Sequence, residues 1–158
     1  MFRFYKLAFI TTALFFTAIS VGFADERYNP IEDEVVLKEC GACHMAFQSQ
    51  MLPKRSWQKI MDGLTDHFGE DASLDKATAE HIGAYLTANA ADSGWWSGKF
   101  MRGVKDSMTP LRITEMPYWV REHNEEVSAR DWKKSKVKTK ANCTACHRGA
   151  ARGNYDDD

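Results

Sequence analysis

Two copies of a Cys-x-x-Cys-His motif constrain this chain more than any other feature. The first occupies residues 40–44 and the second residues 143–147, and together they use every cysteine in the 158-residue sequence. This spacing is typical of covalent haem attachment, in which two thioethers form to the haem vinyl groups and the histidine becomes the proximal iron ligand. The motifs predict two covalently bound haem c groups with iron, attached through Cys40, Cys43, Cys143 and Cys146 and ligated by His44 and His147.

Other uses of paired cysteines agree less well with this pattern. An even number of cysteines in an exported protein usually indicates disulfides, but a pair two residues apart with a trailing histidine does not suggest them. A redox dithiol needs no histidine after the second cysteine. A zinc site needs four ligands brought together, and the two cysteine pairs lie roughly a hundred residues apart.

The first 24 residues have the layout of a secretory signal peptide. Arg3 and Lys6 precede an apolar stretch at 7–21, and Gly22-Phe23-Ala24 forms a small-x-small cleavage site. The alternative is an uncleaved membrane anchor, but the apolar stretch is short for a spanning helix. We expect residues 1–24 to be cleaved and the mature protein to lie in the periplasm without stable membrane insertion.

Charge argues against nucleic acid as a partner. The formal net charge is −1, and removal of Arg3 and Lys6 with the signal peptide takes it to −3. A local exception is the lysine-rich stretch 133–140. It is either a solvated loop or a patch that docks an acidic redox partner.

The sixth coordination position of each iron needs a second ligand. His67 follows an amphipathic pattern that ends at Gly69, and a second predicted helix begins near Ser73 or Asp75. This order resembles a small class I cytochrome c with a histidine in place of the usual methionine. His67 is therefore the candidate distal ligand of the first haem.

His123 is the corresponding candidate for the second haem. Pro117 fits the first turn of a helix that contains it, and Trp119, four residues earlier, shares its face. His81 lies on a helix that we expect to pack rather than to ligate. Met51 and Met61 are the fallback ligands, although methionine is more often core filler.

The predicted fold is all-α: a class I cytochrome c-like half at 25–92, followed by a second haem-binding half at 93–158. The second half is not a repeat of the first, because its distal candidate precedes its attachment motif. No strand pattern is convincing. Helices are predicted at about 31–47, 54–68, 75–90 and 116–126, with a short one around 140–148.

The chain resembles the dihaem cytochromes c of the DHC type. The resemblance rests on stretches that keep their order over most of the mature sequence, namely 39–44, 52–57, 66–72, 110–115, 121–123 and 141–150. It implies two low-spin haems with bis-histidine ligation, His44 and His147 proximal and His67 and His123 distal. It also implies electron donation to an oxygen-binding monohaem cytochrome c of the SHP type, and a membrane cytochrome b is a further candidate partner.

We therefore expect an electron carrier and not an enzyme. Two strong-field imidazoles on each iron block substrate access and keep the coordination shell nearly constant between the oxidation states. The alternatives are a small dihaem peroxidase-like protein and a gas-binding haem protein, each with one open distal position.

Overall fold

The computed structural model describes residues 27–95 and 98–156. The predicted signal peptide, residues 1–24, lies outside the described residues. Five α-helices follow one another along the described chain: α1 Glu34–Cys40, α2 Lys54–Asp62, α3 Lys76–Ala88, α4 Pro117–Glu126 and α5 Ala129–Trp132. Short 3-10 turns lie between and after them at Ser49–Met51, Leu64–Asp66, Lys99–Met101, Ile113–Glu115, Cys143–Ala145 and Ala150–Arg152.

The all-α prediction is confirmed. The described residues contain no strand, and only the isolated bridges Arg27–Asn154 and His67–Glu70 have β-type pairing. None of the helices in the described ranges is long and apolar enough to span a bilayer.

Helix starts agree with their sequence signatures. The Asp33 carboxylate accepts hydrogen bonds from the amides of Val35 and Val36, both at 3.0 Å, and so caps α1. Asp75 caps α3 by accepting from the Thr78 amide at 3.1 Å. Helix α4 begins with Pro117, whose missing N–H costs nothing in the first turn.

Helix ends differ more from the prediction. The stretch expected to be one helix over 54–68 stops at Asp62, because Gly63 caps it by donating to the Ile60 carbonyl. The chain continues as a 3-10 turn, so His67 lies on a loop and not on the helix. The helix predicted around 140–148 is a single 3-10 turn, and α5 was not predicted.

One buried core joins elements from the whole described chain. Helix α3 packs on α1 and α2, while α4 packs on the turns Lys99–Met101 and Ile113–Glu115. The division of the mature chain at residue 92 stays a prediction. The buried side chains come from both sides of that point and include Val36, Leu52, Trp57, Ile82, Leu86, Phe100, Met116, Trp119, Ala150 and Tyr155.

The two ends of the described chain lie against each other. The Tyr28 amide donates to the Gly153 carbonyl at 2.8 Å, and Arg27 pairs with Asp156 at 3.5 Å. Gly153 has φ +80°, and a Cβ there would lie 2.0 Å from the Tyr28 carbonyl oxygen. Only glycine allows this approach, which brings the segment after the second motif onto the first described residues.

Candidate metal centres

The first motif begins at the end of α1. Cys40 is the last helical residue, and Gly41 closes the helix by donating to the Leu37 carbonyl at 3.1 Å. A Cβ at Gly41 would lie 2.2 Å from the same carbonyl oxygen, so only glycine fits between the cysteines here. Burial raises the pKa of the half-buried Cys40 thiol, while Cys43 is exposed.

The structure brings His44 and His67 together. Their ring centres are 6.2 Å apart and their planes differ by 25°. His44 donates through Nδ1 to the Met45 carbonyl at 2.7 Å, which leaves its Nε2 available as a ligand. Phe47 also packs against the His44 ring, with centres 5.0 Å apart.

The separation of these rings suits two axial ligands of one metal. A metal–nitrogen bond of about 2 Å on each side, and roughly 1 Å from each nitrogen to its ring centre, place the centres of two trans imidazoles about 6 Å apart. The observed 6.2 Å agrees with that value. The donor set therefore fits an iron held between His44 and His67.

A tight loop holds His67 in place. Its amide donates to the Glu70 carbonyl at 2.7 Å, and the Glu70 amide donates back at 3.3 Å. The loop requires φ +58° at Phe68 and φ +100° at Gly69, and positive φ is unusual for a phenylalanine. Gly69 donates in turn to the Asp66 carboxylate at 3.0 Å.

Arg112 stabilises the same loop from a distant part of the sequence. Its guanidinium lies 3.8 Å from the centre of the Phe68 ring, a cation–π contact. Phe68 meets the His67 ring edge-on at 4.8 Å. Burial, and then the neighbouring His44 and Arg112, lower the pKa of His67, which favours the neutral imidazole that ligation requires. An open cleft beside His67 is also lined by Lys59, Ile60, Leu111 and Arg112.

The second motif forms a 3-10 turn that positions its histidine. The His147 amide donates to the Cys143 carbonyl at 2.8 Å, which closes the motif on itself. Cys143 is half-buried and Cys146 is exposed. Burial raises the pKa of the Cys143 thiol to about 11.

His123 and His147 form the second pair, with ring centres also 6.2 Å apart. Here the planes differ by 78°, so the rings are nearly perpendicular, unlike the nearly parallel first pair. His123 donates through Nδ1 to the Trp119 carbonyl at 2.9 Å, its i−4 neighbour on α4, and so leaves Nε2 available as a ligand.

Two tryptophans fix the orientation of His123. Trp119 stacks on its imidazole with ring centres 4.0 Å apart and planes 16° apart. Trp132, from α5, is stacked with its centre 5.9 Å from the His123 ring. The shared face of Trp119 and His123 follows from helical spacing, whereas the contribution of Trp132 depends on how the chain turns after α4.

The surroundings of His147 connect the second pair to the first motif. Its Nδ1 is buried without a hydrogen-bond partner, and Tyr155 packs beside its ring with centres 5.5 Å apart. The Tyr155 hydroxyl donates to Gln48, four residues after His44. Gln48 is fully buried and donates to the Ala150 carbonyl at 2.9 Å.

His81 lies away from both histidine pairs. Its Nε2 is 2.7 Å from the carboxylate of Asp33, the capping residue of α1. The methionines considered as fallback ligands belong to the core, where Met51 is buried and Met61 is half-buried.

Several residues around these pairs were not predicted from the sequence, namely Gln48, Phe68, Arg112, Trp132 and Tyr155. Phe68 and Arg112 had a sequence indication, because they lie within the stretches 66–72 and 110–115 that carry the family resemblance. Trp132 and Tyr155 are aromatic residues near the second motif in the sequence, and no sequence pattern indicated that they pack around its histidine pair.

Comparison with known proteins identifies relatives. The family model of the dihaem cytochromes c (DHC) matches residues 36–155. A diheme cytochrome c from Rhodobacter sphaeroides is 47% identical with a TM-score of 0.76, and the match covers 80% of this chain and 99% of that chain. The crystal structure of DHC purified from Rhodobacter sphaeroides is 46% identical with a TM-score of 0.67, and covers 79% and 98% of the two chains.

A third solved structure, the diheme cytochrome type c sb-DHC from Shewanella baltica OS155, is 31% identical with a TM-score of 0.63. That match covers 78% of this chain and 86% of the other. No curated protein matches significantly.

Proposed function

This chain belongs to the dihaem cytochrome c family, and from that premise we propose that it is a periplasmic electron-transfer protein with two low-spin, bis-histidine haems. Family membership implies two covalently bound haem c groups with iron. The proposal adds the ligands of each iron, the cellular compartment and the partners.

The observation that carries the proposal is that each motif histidine faces one other histidine at the same separation. His44 faces His67, and His147 faces His123, each with ring centres 6.2 Å apart. In this proposal Cys40, Cys43, Cys143 and Cys146 form the thioethers. Each haem, when bound, supplies an iron that alternates between Fe(III) and Fe(II).

The protein's own residues keep the ligand geometry constant during that change. Hydrogen bonds from Nδ1 orient His44 and His123, the tight loop holds His67, and packing against Tyr155 holds His147. Histidines held by these contacts move little when the oxidation state changes, so little reorganisation energy opposes electron transfer.

Four imidazoles also leave no open coordination position for a substrate, which favours a carrier over a peroxidase or a gas-binding protein. Lys59 and Arg112, which line the cleft beside His67, would provide cations for the haem propionates.

The location and partners follow from the sequence layout and the family. We propose cleavage of residues 1–24 on export to the periplasm, in keeping with the typical export of cytochromes c. The proposed acceptor is an SHP-type monohaem cytochrome c, and the proposed donor is a membrane cytochrome b. Electron transfer from the reduced protein to a purified SHP-type cytochrome, followed by stopped-flow absorbance, tests the acceptor.

Substitution of each distal histidine tests the ligation. We expect the holoprotein to show low-spin spectra from both haems and no methionine–iron band near 695 nm. His67→Ala and His123→Ala should each convert one haem to a high-spin form that binds CO, whereas His81→Ala should leave both low-spin. If the unaltered protein has a high-spin fraction that binds CO readily, the carrier proposal is wrong.

A further inference from the structure

Positive charge is concentrated around the second motif. Residues 127–152 contain eight Lys and Arg residues and one carboxylate, Asp131. The preceding mature residues, 25–126, contain eleven Lys and Arg against eighteen Asp and Glu. The segment 127–152 is therefore locally basic, although the overall formal charge is negative and the sequence closes with Asp156, Asp157 and Asp158.

Five of these cations lie on one compact loop, residues 132–140, which we name the lysine loop. The loop closes on itself, because the ammonium of Lys140 lies 5.3 Å from the ring centre of Trp132. Val137 is only 4% exposed and anchors its middle in the protein. The Asn142 side chain donates to the Lys136 carbonyl at 3.0 Å and ties the loop to the second motif.

Most of the charge on this loop is available to a partner. Within the described part of the chain, Lys134 pairs with Asp131 at 2.7 Å, whereas Lys133, Lys136 and Lys138 form no ion pair and are exposed. Lysines normally point into water, so exposure alone would not indicate a site. What distinguishes this loop is its fixed backbone and its contact with the second histidine pair.

That contact runs through aromatic rings. Lys140 lies over both Trp132 and Trp119, and Trp119 stacks on the His123 imidazole at 4.0 Å. Trp132 is half-buried, so the aromatic contacts extend from the surface to a proposed iron ligand. The loop thus places positive charge and an aromatic path at the same point of the surface.

We propose that the lysine loop is the docking surface for an acidic redox protein, and that electrons exchanged with this partner pass through the second histidine pair. The proposal rests on the electron-transfer function proposed above. It assigns different roles to the two haems: the second exchanges electrons at the lysine loop and the first exchanges them elsewhere.

Reaction of the reduced holoprotein with hexacyanoferrate(III), an anionic oxidant, tests the role of the second site. One electron leaves the protein and reduces hexacyanoferrate(III) to hexacyanoferrate(II); no bond or proton is transferred. The net negative protein would repel this anion, so the overall charge predicts rates that rise with salt. The lysine loop predicts the opposite for the second haem: a rate that falls about tenfold between low and physiological ionic strength.

Rapid freeze-quench EPR identifies which haem is oxidised first, with the two spectra assigned through His67→Ala and His123→Ala. The test variant is Lys133→Glu combined with Lys136→Glu, which reverses two exposed charges outside the aromatic contacts. The matched control is Lys54→Glu with Lys105→Glu, which changes the net charge equally at exposed positions away from the loop. The test variant should lose the faster reaction of the second haem at low ionic strength, and the control should retain it.

Binding provides a second measurement that does not depend on electron transfer. Oxidised flavodoxin serves as an acidic redox protein, and calorimetry at low salt should show its dissociation constant rising about tenfold in the test variant and little in the control. Vesicles of phosphatidylglycerol serve as the alternative anionic surface. If the loop binds vesicles but not flavodoxin, it recognises a membrane and the proposal is wrong.

The outcomes separate this proposal from the function on which it rests. If neither haem reduces hexacyanoferrate(III), the electron-transfer function itself fails. If both react but the rates of the test variant and its control respond equally to salt, the carrier function stands and the lysine loop is not the docking surface.

Discussion

The hydroxyl of Tyr155 donates a hydrogen bond to the Gln48 side-chain oxygen at 2.5 Å, across more than a hundred residues of sequence. Gln48 lies four residues after His44, and Tyr155 packs on the His147 ring at 5.5 Å. Gln48 also donates to the Ala150 carbonyl at 2.9 Å. This buried contact links the surroundings of the two motif histidines, so the two proposed haem sites share one supporting structure.

Removing the Tyr155 hydroxyl should destabilise the whole protein. Tyr155→Phe leaves the Gln48 oxygen buried without its donor, which costs about 1–3 kcal/mol. The free energy of unfolding, measured by denaturant titration of the holoprotein, checks this. Tyr85→Phe is the control, because the Tyr85 hydroxyl accepts a longer 3.3 Å bond from the exposed Glu32 amide. Equal losses in the two variants would contradict the importance of the buried contact.

The two histidine pairs should give different EPR spectra. The rings of His44 and His67 are nearly parallel at 25°, while those of His123 and His147 are nearly perpendicular at 78°. If an iron were bound between two nearly perpendicular imidazoles, two of its d orbitals would be closer in energy than between parallel imidazoles. The g anisotropy of its EPR signal would then be larger. We expect one ordinary rhombic low-spin signal and one with a much larger maximum g value. Two identical rhombic signals would contradict this arrangement.

Trp119 should act as a positioning residue for His123. Trp119→Leu removes the ring that stacks on the imidazole at 4.0 Å but keeps the backbone carbonyl that accepts from its Nδ1. The EPR signal assigned to the second site should broaden or shift while that of the first site stays unchanged. Trp95→Leu, at a residue that is 93% exposed, is the matched control and should change neither signal.

Arg112 should raise the reduction potential of the first site alone. Its guanidinium contacts Phe68, which in turn contacts His67, and a nearby cation disfavours the more positive oxidised state. Arg112→Gln should therefore lower that potential by a few tens of millivolts, with the effect reduced because the side chain is exposed. Spectroelectrochemical titration measures it, with Arg102→Gln as the control. If the reduction potential of the second site shifts instead, Arg112 acts on that site and the prediction is wrong.

The Asp33 carboxylate that caps α1 should stabilise the folded protein less in acid. The backbone hydrogen bond from Val36, assisted by the interaction with His81, lowers the pKa of Asp33 below its ordinary 3.8. Because the folded-state pKa is depressed, the carboxylate stabilises the protein above pH 3.8 and loses this effect as the pH falls through the lower folded-state value. Asp33→Asn keeps a capping oxygen without the charge. The stability difference between the two proteins should shrink below pH 3.8, as measured by denaturation at several pH values.

Much of the proposed site could be identified from the sequence because its features are local. Cysteine spacing, a trailing histidine, the capping residue Asp75 and the proline at α4 each act over a few residues. The all-α fold class could be predicted for the same reason. The end of α2 could not, because an amphipathic pattern continues through Leu64 although Gly63 ends the helix.

The sequence by itself determined the number of attachment motifs, the family and the candidate ligands. The sequence also suggested which histidine belongs with which motif. Tertiary structure alone decided how each pair of rings is turned, and that Trp132, Tyr155, Gln48 and Arg112 surround them. The reason is physical: motif chemistry depends on neighbours along the chain, whereas ring orientation depends on packing among residues far apart in sequence. His44 and His67 differ from His123 and His147 in ring angle because a tight loop holds one distal histidine and stacked tryptophans hold the other.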